Sequence, residues 1–144
     1  MKKNLIILFV SFLPLAMMAQ APTKGPLDGK TFDAEVTKEG KKKPMDPDEL
    51  KFSLGKFKAR NFSEQYKFKN ATYLITGCDS TSTPGVKIYT FKVEANNDIK
   101  DLATWEGTIN GDDIEGTATL VTKKGDKIFN CSFTGKLKKK SGQK

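Results

Sequence analysis

The most constraining feature of the chain is an apolar/polar alternation of period two through its last three apolar segments, punctuated by Asn110-Gly111 and Gly125-Asp126. Both dipeptides are turn formers suited to two-residue β-hairpins, and such a turn dictates which residues face each other across the pair. A turn at 110–111 places Gly107 opposite Ile114, Trp105 opposite Gly116 and Ala103 opposite Ala118. A turn at 125–126 places Leu120 opposite Cys131, Ala118 opposite Phe133, Gly116 opposite Gly135 and Ile114 opposite Leu137. Both registers gather apolar and small residues onto one face, although each is set by its own turn. The other face is polar: Thr104, Thr117 and Thr134, then Thr119 and Ser132, then Glu106, Glu115 and Lys136. A one-residue slip would destroy that segregation, so an antiparallel meander is the expected core of the fold.

The rest of the chain reads the same way and shows no sustained helical period. Strand-like segments run over Lys30–Thr37, Glu49–Ala59, Ala71–Asp79, Val86–Ala95, Ala103–Ile109, Asp113–Thr122 and Lys127–Leu137. Within Glu49–Ala59 the apolar parity changes from Leu50, Phe52 and Leu54 to Phe57 and Ala59 across Gly55, as at a β-bulge or barrel corner. Asn61–Phe68 reads as a short helical turn capped by Asn61 or Ser63. One buried and one wet face, repeated through short antiparallel segments, predicts an all-β up-and-down meander closing into a seven- or eight-stranded barrel. A β-sandwich of the same strands is the competing architecture.

Residues 1–19 read as a secretory signal peptide. Lys2 and Lys3 precede an apolar run over Leu5–Met18, and Ala16–Ala19 offers small residues before a cut at Gln20. The alternative, a membrane anchor, needs about 20 apolar residues, more than this run supplies, and Pro14 lies within it. No cysteine follows to carry a lipid. The expected organisation is a signal peptide (1–19), a flexible lead-in (20–26), a barrel domain (27–137) and a basic tail (138–144), with the processed chain in the periplasm or secreted.

Composition narrows the chemistry. The 144 residues include no histidine, which removes Ser–His and Cys–His catalysis and histidine-ligated metals. An oxidising compartment favours a disulfide between Cys78 and Cys131. Cys78, however, has the opposite parity to Tyr73 and Ile75, so pairing needs a bulge near Gly77, and two free thiols are the alternative. Glu106 and Glu115 face each other in the deduced register, but on the wet face and beside Lys136. That pattern is a solvated charge ladder rather than an acid pair for catalysis. Asp112 and Asp113 lack the ligand spacing of a calcium loop. Asn61, Asn70 and Asn130 open glycosylation tripeptides that read as coincidence beside a bacterial type of leader. The net charge of +8 falls to +6 when Lys2 and Lys3 leave with the leader. Its lysines are dispersed and Arg60 is the only arginine, a poor match to base-reading proteins. Weak contact with an anionic envelope surface is the partner this charge suggests; neither nucleic acid nor a membrane span is expected.

The inner row Trp105–Gly116–Gly135, extended by Ala103 and Ala118, pairs a large ring with residues that leave space above the sheet. It predicts either an apolar cavity or a Trp105 that fills the space itself. Taken together, Leu27-Asp28-Gly29-Lys30-Thr31-Phe32, the segment Glu49–Lys58, and Trp105-Glu106-Gly107, Ile114-Glu115-Gly116-Thr117 and Phe133-Thr134-Gly135-Lys136 resemble the lipocalin-like (calycin-like) small secreted β-barrels of bacteria. The resemblance spans Leu27 to Leu137. It implies a barrel and a small apolar ligand, with no catalytic residues and no cofactor. The expected lining is Trp105, Phe133, Phe91, Tyr73, Gly116 and Gly135. The second expectation, from another class, is a barrel with a filled core that meets anionic partners through its lysines.

Overall fold

The computed structural model describes residues 24–141; the expected signal peptide and residues 20–23 and 142–144 of the lead-in and tail lie outside them. Eight strands follow one another: β1 (Thr31–Lys38), β2 (Asp48–Ser53), β3 (Lys56–Ala59), β4 (Ala71–Ser80), β5 (Lys87–Asn96), β6 (Leu102–Asn110), β7 (Asp113–Val121) and β8 (Lys127–Leu137). A helix, α1 (Arg60–Tyr66), joins β3 to β4. Every strand pairs antiparallel with its sequence neighbours, and β8 returns to β1 through seven residue pairs, Phe32↔Leu137 to Lys38↔Cys131. The sheet is therefore a closed barrel, not a sandwich, and it has eight strands.

The eighth strand comes from the parity change near Gly55. Leu54 and Gly55 form neither a bulge nor a corner but a two-residue turn closed by the pair Ser53↔Lys56. Both turn residues have positive φ, 53° and 71°, as a type I′ turn requires. Leucine is poorly suited to that region, which costs an L-residue with a bulky side chain on the order of 1–2 kcal/mol.

Both hairpins of the C-terminal meander differ from expectation by two residues. Gly111–Asp112, not Asn110–Gly111, forms the β6–β7 turn, closed by Asn110↔Asp113. Gly111 has φ 60° and Asp112 is not among the positive-φ residues. That is the pattern of a II′ turn, which favours glycine first. The β7–β8 connection is wider than Gly125–Asp126: Gly125 N–H donates to the Thr122 carbonyl at 2.8 Å, and Thr122 N–H donates to the Asp126 carbonyl at 2.8 Å. Gly125 takes φ 89° after Lys123 and Lys124, and a register shift follows between Leu120 and Val121. Trp105 thus faces Ala118, Gly116 faces Gly107 and Phe133, and Gly135 faces Ile114 and Ala34. A displacement of two leaves every side chain on its expected face. Trp105 is 2% exposed and Glu106 points to solvent.

Both barrel ends are closed by side chains. α1 seats Phe62 in the core. Neither Asn61 nor Ser63 caps this helix, which begins one residue earlier than expected. The residue before α1, Ala59, offers no side-chain cap; instead the buried carboxylate of Asp48, from the start of β2, accepts the Asn61 N–H at 2.8 Å. Asn61 turns its amide onto the Pro47 carbonyl at 2.7 Å. At the opposite end Leu27 is fully buried, and Gly25–Asp28 form a hydrogen-bonded turn (Asp28 N–H to Gly25 carbonyl, 3.1 Å).

Candidate functional site

The residues expected to line a cavity do share the interior, and they fill it. A continuous series of ring contacts crosses the barrel. Tyr73 meets Phe52 at 5.2 Å, Phe52 meets Phe57 and Phe91 at 5.2 Å, and Phe57 meets Trp105 at 5.3 Å. Trp105 then touches Phe133 at 5.3 Å and Phe62 at 4.7 Å, the latter edge-to-face. Phe62 continues to Tyr66 at 5.5 Å and Phe129 at 6.3 Å. Offset and edge-on contacts of this kind add to the burial energy of each ring.

The glycines explain how so many rings fit. A Cβ on Gly107 would lie 2.9 Å from two Phe91 ring atoms, and one on Gly116 would lie 2.7 Å from Phe133 Cζ. One on Gly135 would meet Ile114 Cγ2 at 3.0 Å and the Asp33 carbonyl at 2.6 Å. The space that Gly116 and Gly135 leave is therefore taken by Phe133 and Ile114, not by Trp105 and not by a void. The small residues are the wall on which the large ones lie.

Polar side chains brace the two ends. The Tyr73 hydroxyl donates to Asp28 Oδ1 at 2.9 Å and accepts the Leu27 N–H at 3.3 Å. Gly55 N–H donates to both Asp28 carboxylate oxygens at 3.0 Å, and Gly25 N–H to Oδ2 at 3.0 Å. Desolvation alone would raise the Asp28 pKa; the Gly55 N–H, the Tyr73 hydroxyl and the Gly25 N–H together outweigh it and hold the carboxyl below its usual range. The same contact, behind burial as the larger cause, pushes Tyr73 up to about 12. At the α1 end burial raises the Asp48 pKa against the backbone N–H groups that bind it, and its Oδ2 has no hydrogen-bond partner among the described residues.

The two cysteines do not pair: Cys78 is an exposed free thiol and Cys131 a buried one. The bulge that pairing requires does exist, between Ile75 and Gly77, and it brings Cys78 into register with Tyr89. It lies, however, at the end of the β4–β5 hairpin, where no residue of Gly77–Ser80 or Lys87–Tyr89 is fully buried. Cys131 sits on β8 in the core, with its sulfur 3.6 Å from the Ala118 carbonyl, and burial pushes its thiol up to about 11.

On the outer face Glu106 and Glu115 are not opposite each other. Glu106 faces Lys92 and Thr117, and Glu115 faces Thr108 and Thr134. Lys92 bridges Glu94 at 3.1 Å and Glu106 at 3.8 Å, while Lys136 pairs with Asp113 rather than Glu115. A shallow, mostly apolar depression of about 570 Å³ over these strands is lined by Thr90, Thr108, Thr117 and Thr134 around Gly107, Gly116 and Phe133.

Positive charge gathers elsewhere. On β2 and β3, Lys51 and Lys58 face each other directly, with Lys56 nearby. Next to them a groove of about 580 Å³ is lined by Lys30, Lys51, Lys138, Lys139 and Lys140, with Glu49 among them. Lys138 bridges Glu49 at 2.8 Å and Asp33 at 3.7 Å. The sequence reads its lysines as dispersed, whereas β2, β3, the residue before β1 and the C-terminal segment bring these together.

No protein-family model matches the chain, and comparison with curated proteins and with solved structures likewise gives no match. The fold defines an eight-stranded antiparallel meander barrel with the general shape of the lipocalin-like class.

Proposed function

We propose that this protein is an exported, non-enzymatic, lipocalin-like barrel that acts through its outer surface and meets anionic partners with its lysines. The observation that carries this reading is the occupied interior. Trp105, Phe133 and Phe91 are each 2% exposed or less, and every one of them rests on another ring. A barrel of eight strands encloses just enough volume for its own side chains or for one small ligand, and here the side chains take it. The concentration of lysine on β2, β3 and the C-terminal segment supplies the surface. The apolar run at residues 5–18 supports export to the periplasm or beyond.

An enclosed apolar guest is the competing reading, supported by the closed barrel and by the seven-residue α1 that covers one end. It requires Phe62 and Trp105 to separate. Titrating the single Trp with fatty acids and with an apolar dye, alongside native mass spectrometry, decides between them. Unchanged fluorescence and a bare polypeptide mass are expected. A saturable spectral shift or a co-purified small molecule would reverse the assignment.

A further inference from the structure

The turn joining β2 to β3 carries a residue for which folding has no use. Leu54 takes φ 53°, a region suited to glycine or asparagine, and its side chain is 58% exposed. The β3–β4 ladder pairs Lys56 with Thr72, and Tyr73 N–H donates to the Gly55 carbonyl at 3.3 Å. On β4, one residue beyond Tyr73, Leu74 is likewise exposed, at 61%. The tip is also held in place, because the Gly55 N–H is anchored on Asp28.

Cations flank Leu54. Lys51, Lys56 and Lys58 line one shallow depression with Leu54, and Lys24 and Lys56 line a second. None of these four lysines makes an ion pair among the described residues, whereas Lys69, Lys92, Lys127, Lys136 and Lys138 all do. Lys51 and Lys58 even face each other across the ladder, an arrangement that destabilises a sheet unless something anionic lies over it.

We propose that the β2–β3 turn and its lysine flank form a docking surface for an anionic phospholipid membrane. Leu54 and Leu74 enter the boundary between headgroups and acyl chains, and Lys51, Lys56 and Lys58 engage the phosphates. The assignment rests on the reading that the protein acts through its exterior. It selects lipid over an acidic polymer because phosphate or carboxylate alone gives two exposed leucines nothing to enter. Lysine stems lie along an apolar boundary while their ammonium groups stay at headgroup level.

The test is flotation of the processed chain, without residues 1–19, with vesicles of phosphatidylglycerol and phosphatidylcholine against pure phosphatidylcholine. Binding to the mixed vesicles alone is expected, weakening as salt is raised. Leu54→Asn keeps the turn conformation, so it should melt higher than the parent while binding about tenfold more weakly. Replacing Lys51, Lys56 and Lys58 together by Gln should cost about fivefold per lysine, on the order of a hundredfold in all. If both variants float like a salt-sensitive parent, the surface assigned here is wrong while the exterior reading stands. Retention of the parent on polyphosphate but not on vesicles overturns the lipid assignment. Indifference to vesicles and to polyphosphate alike overturns both.

Discussion

Truncating Phe133 to alanine tests the filled interior directly. Its ring lies over Gly116, where a Cβ would come within 2.7 Å of Cζ, and it touches Trp105 at 5.3 Å. Removing a buried phenyl group forfeits about 2 kcal/mol of transfer energy. The wall beneath cannot collapse into the space, because Gly116 has no side chain and its backbone is tied into the β6–β7–β8 ladder. A void on the order of 100 Å³ adds about 2 kcal/mol more at the usual cost per unit volume. The expected loss is about 4 kcal/mol, which for a domain of this size lowers Tm by roughly 15 °C. Urea unfolding followed by Trp105 fluorescence gives the stability, and adding benzene probes the void. The variant should recover part of its midpoint with benzene, and the parent should not respond, since an apolar cavity stays dry and accepts such a guest. A loss under about 1 kcal/mol, or a parent that benzene stabilises, would show that the rings leave room and refute the reasoning.

Three further outcomes follow from the same packing. In the native protein iodoacetamide at pH 8 should label Cys78 alone, with Cys131, buried and with its thiol raised to about 11, reacting only after unfolding; protection of both would imply the bridge that the fold lacks. Asp28 has a folded pKa below its unfolded one, so it contributes stability above the unfolded value near pH 4 that is lost as pH falls through the folded value. Asp28→Asn should therefore be less stable than the parent at pH 7 and converge with it in acid, as chemical denaturation across pH 2–7 would show; a gap that persists at low pH would mean the carboxylate charge is irrelevant. Asp48→Ala strips α1 of its acceptor and should cost about 1–2 kcal/mol, whereas Asp48→Asn keeps an oxygen for the Asn61 N–H and removes a buried charge; equal losses in thermal melts would argue against the cap.

How far the sequence discloses this fold depends on which property is asked of it. Facing is robust. The turn dipeptides place the hairpins one residue too early at 110–111 and misjudge the loop at 125–126, yet both errors move partners by two, and a strand repeats every two. Trp105, Ala118, Phe133 and Gly135 therefore point inward as their alternation requires. Asn110-Gly111 and Gly111-Asp112 are both competent two-residue turns, and local chemistry alone does not rank them. Neighbourhood is fragile. The expected cavity depended on Trp105 standing beside Gly116, and a two-residue displacement puts Phe133 there instead. The Leu54–Gly55 turn was hidden because leucine is a poor signal for positive φ. The Asp48 cap was hidden because it reaches α1 from β2, and nothing within Asn61–Phe68 points to it. The latch of Tyr73 on Asp28 spans 45 residues and has no local signature.

The way the barrel is filled also bears on where its function can reside. Gly107 and Gly116 are direct partners, and Gly116 also pairs with Phe133, so backbone replaces side chain where Phe91 and Phe133 lie. Alanine at Gly116 would place its Cβ 2.1 Å from the Glu106 carbonyl, a collision with backbone that no rotamer relieves. The wall and its rings are thus fitted to each other, as close packing demands when there are few aliphatic residues to share the space. A ligand pocket in such a barrel would need the opposite arrangement, with small residues facing a void and rings set back around it. The outer surface carries no comparable constraint. Among the positions there that depart from folding logic are Leu54 in a left-handed turn, Leu74 in the open, and Lys51 opposite Lys58. The left-handed Leu54 and the facing pair Lys51 and Lys58 each lower stability. Leu54, Lys51 and Lys58 lie together at one turn, where a single external surface, apolar beneath and anionic above, would satisfy all three at once.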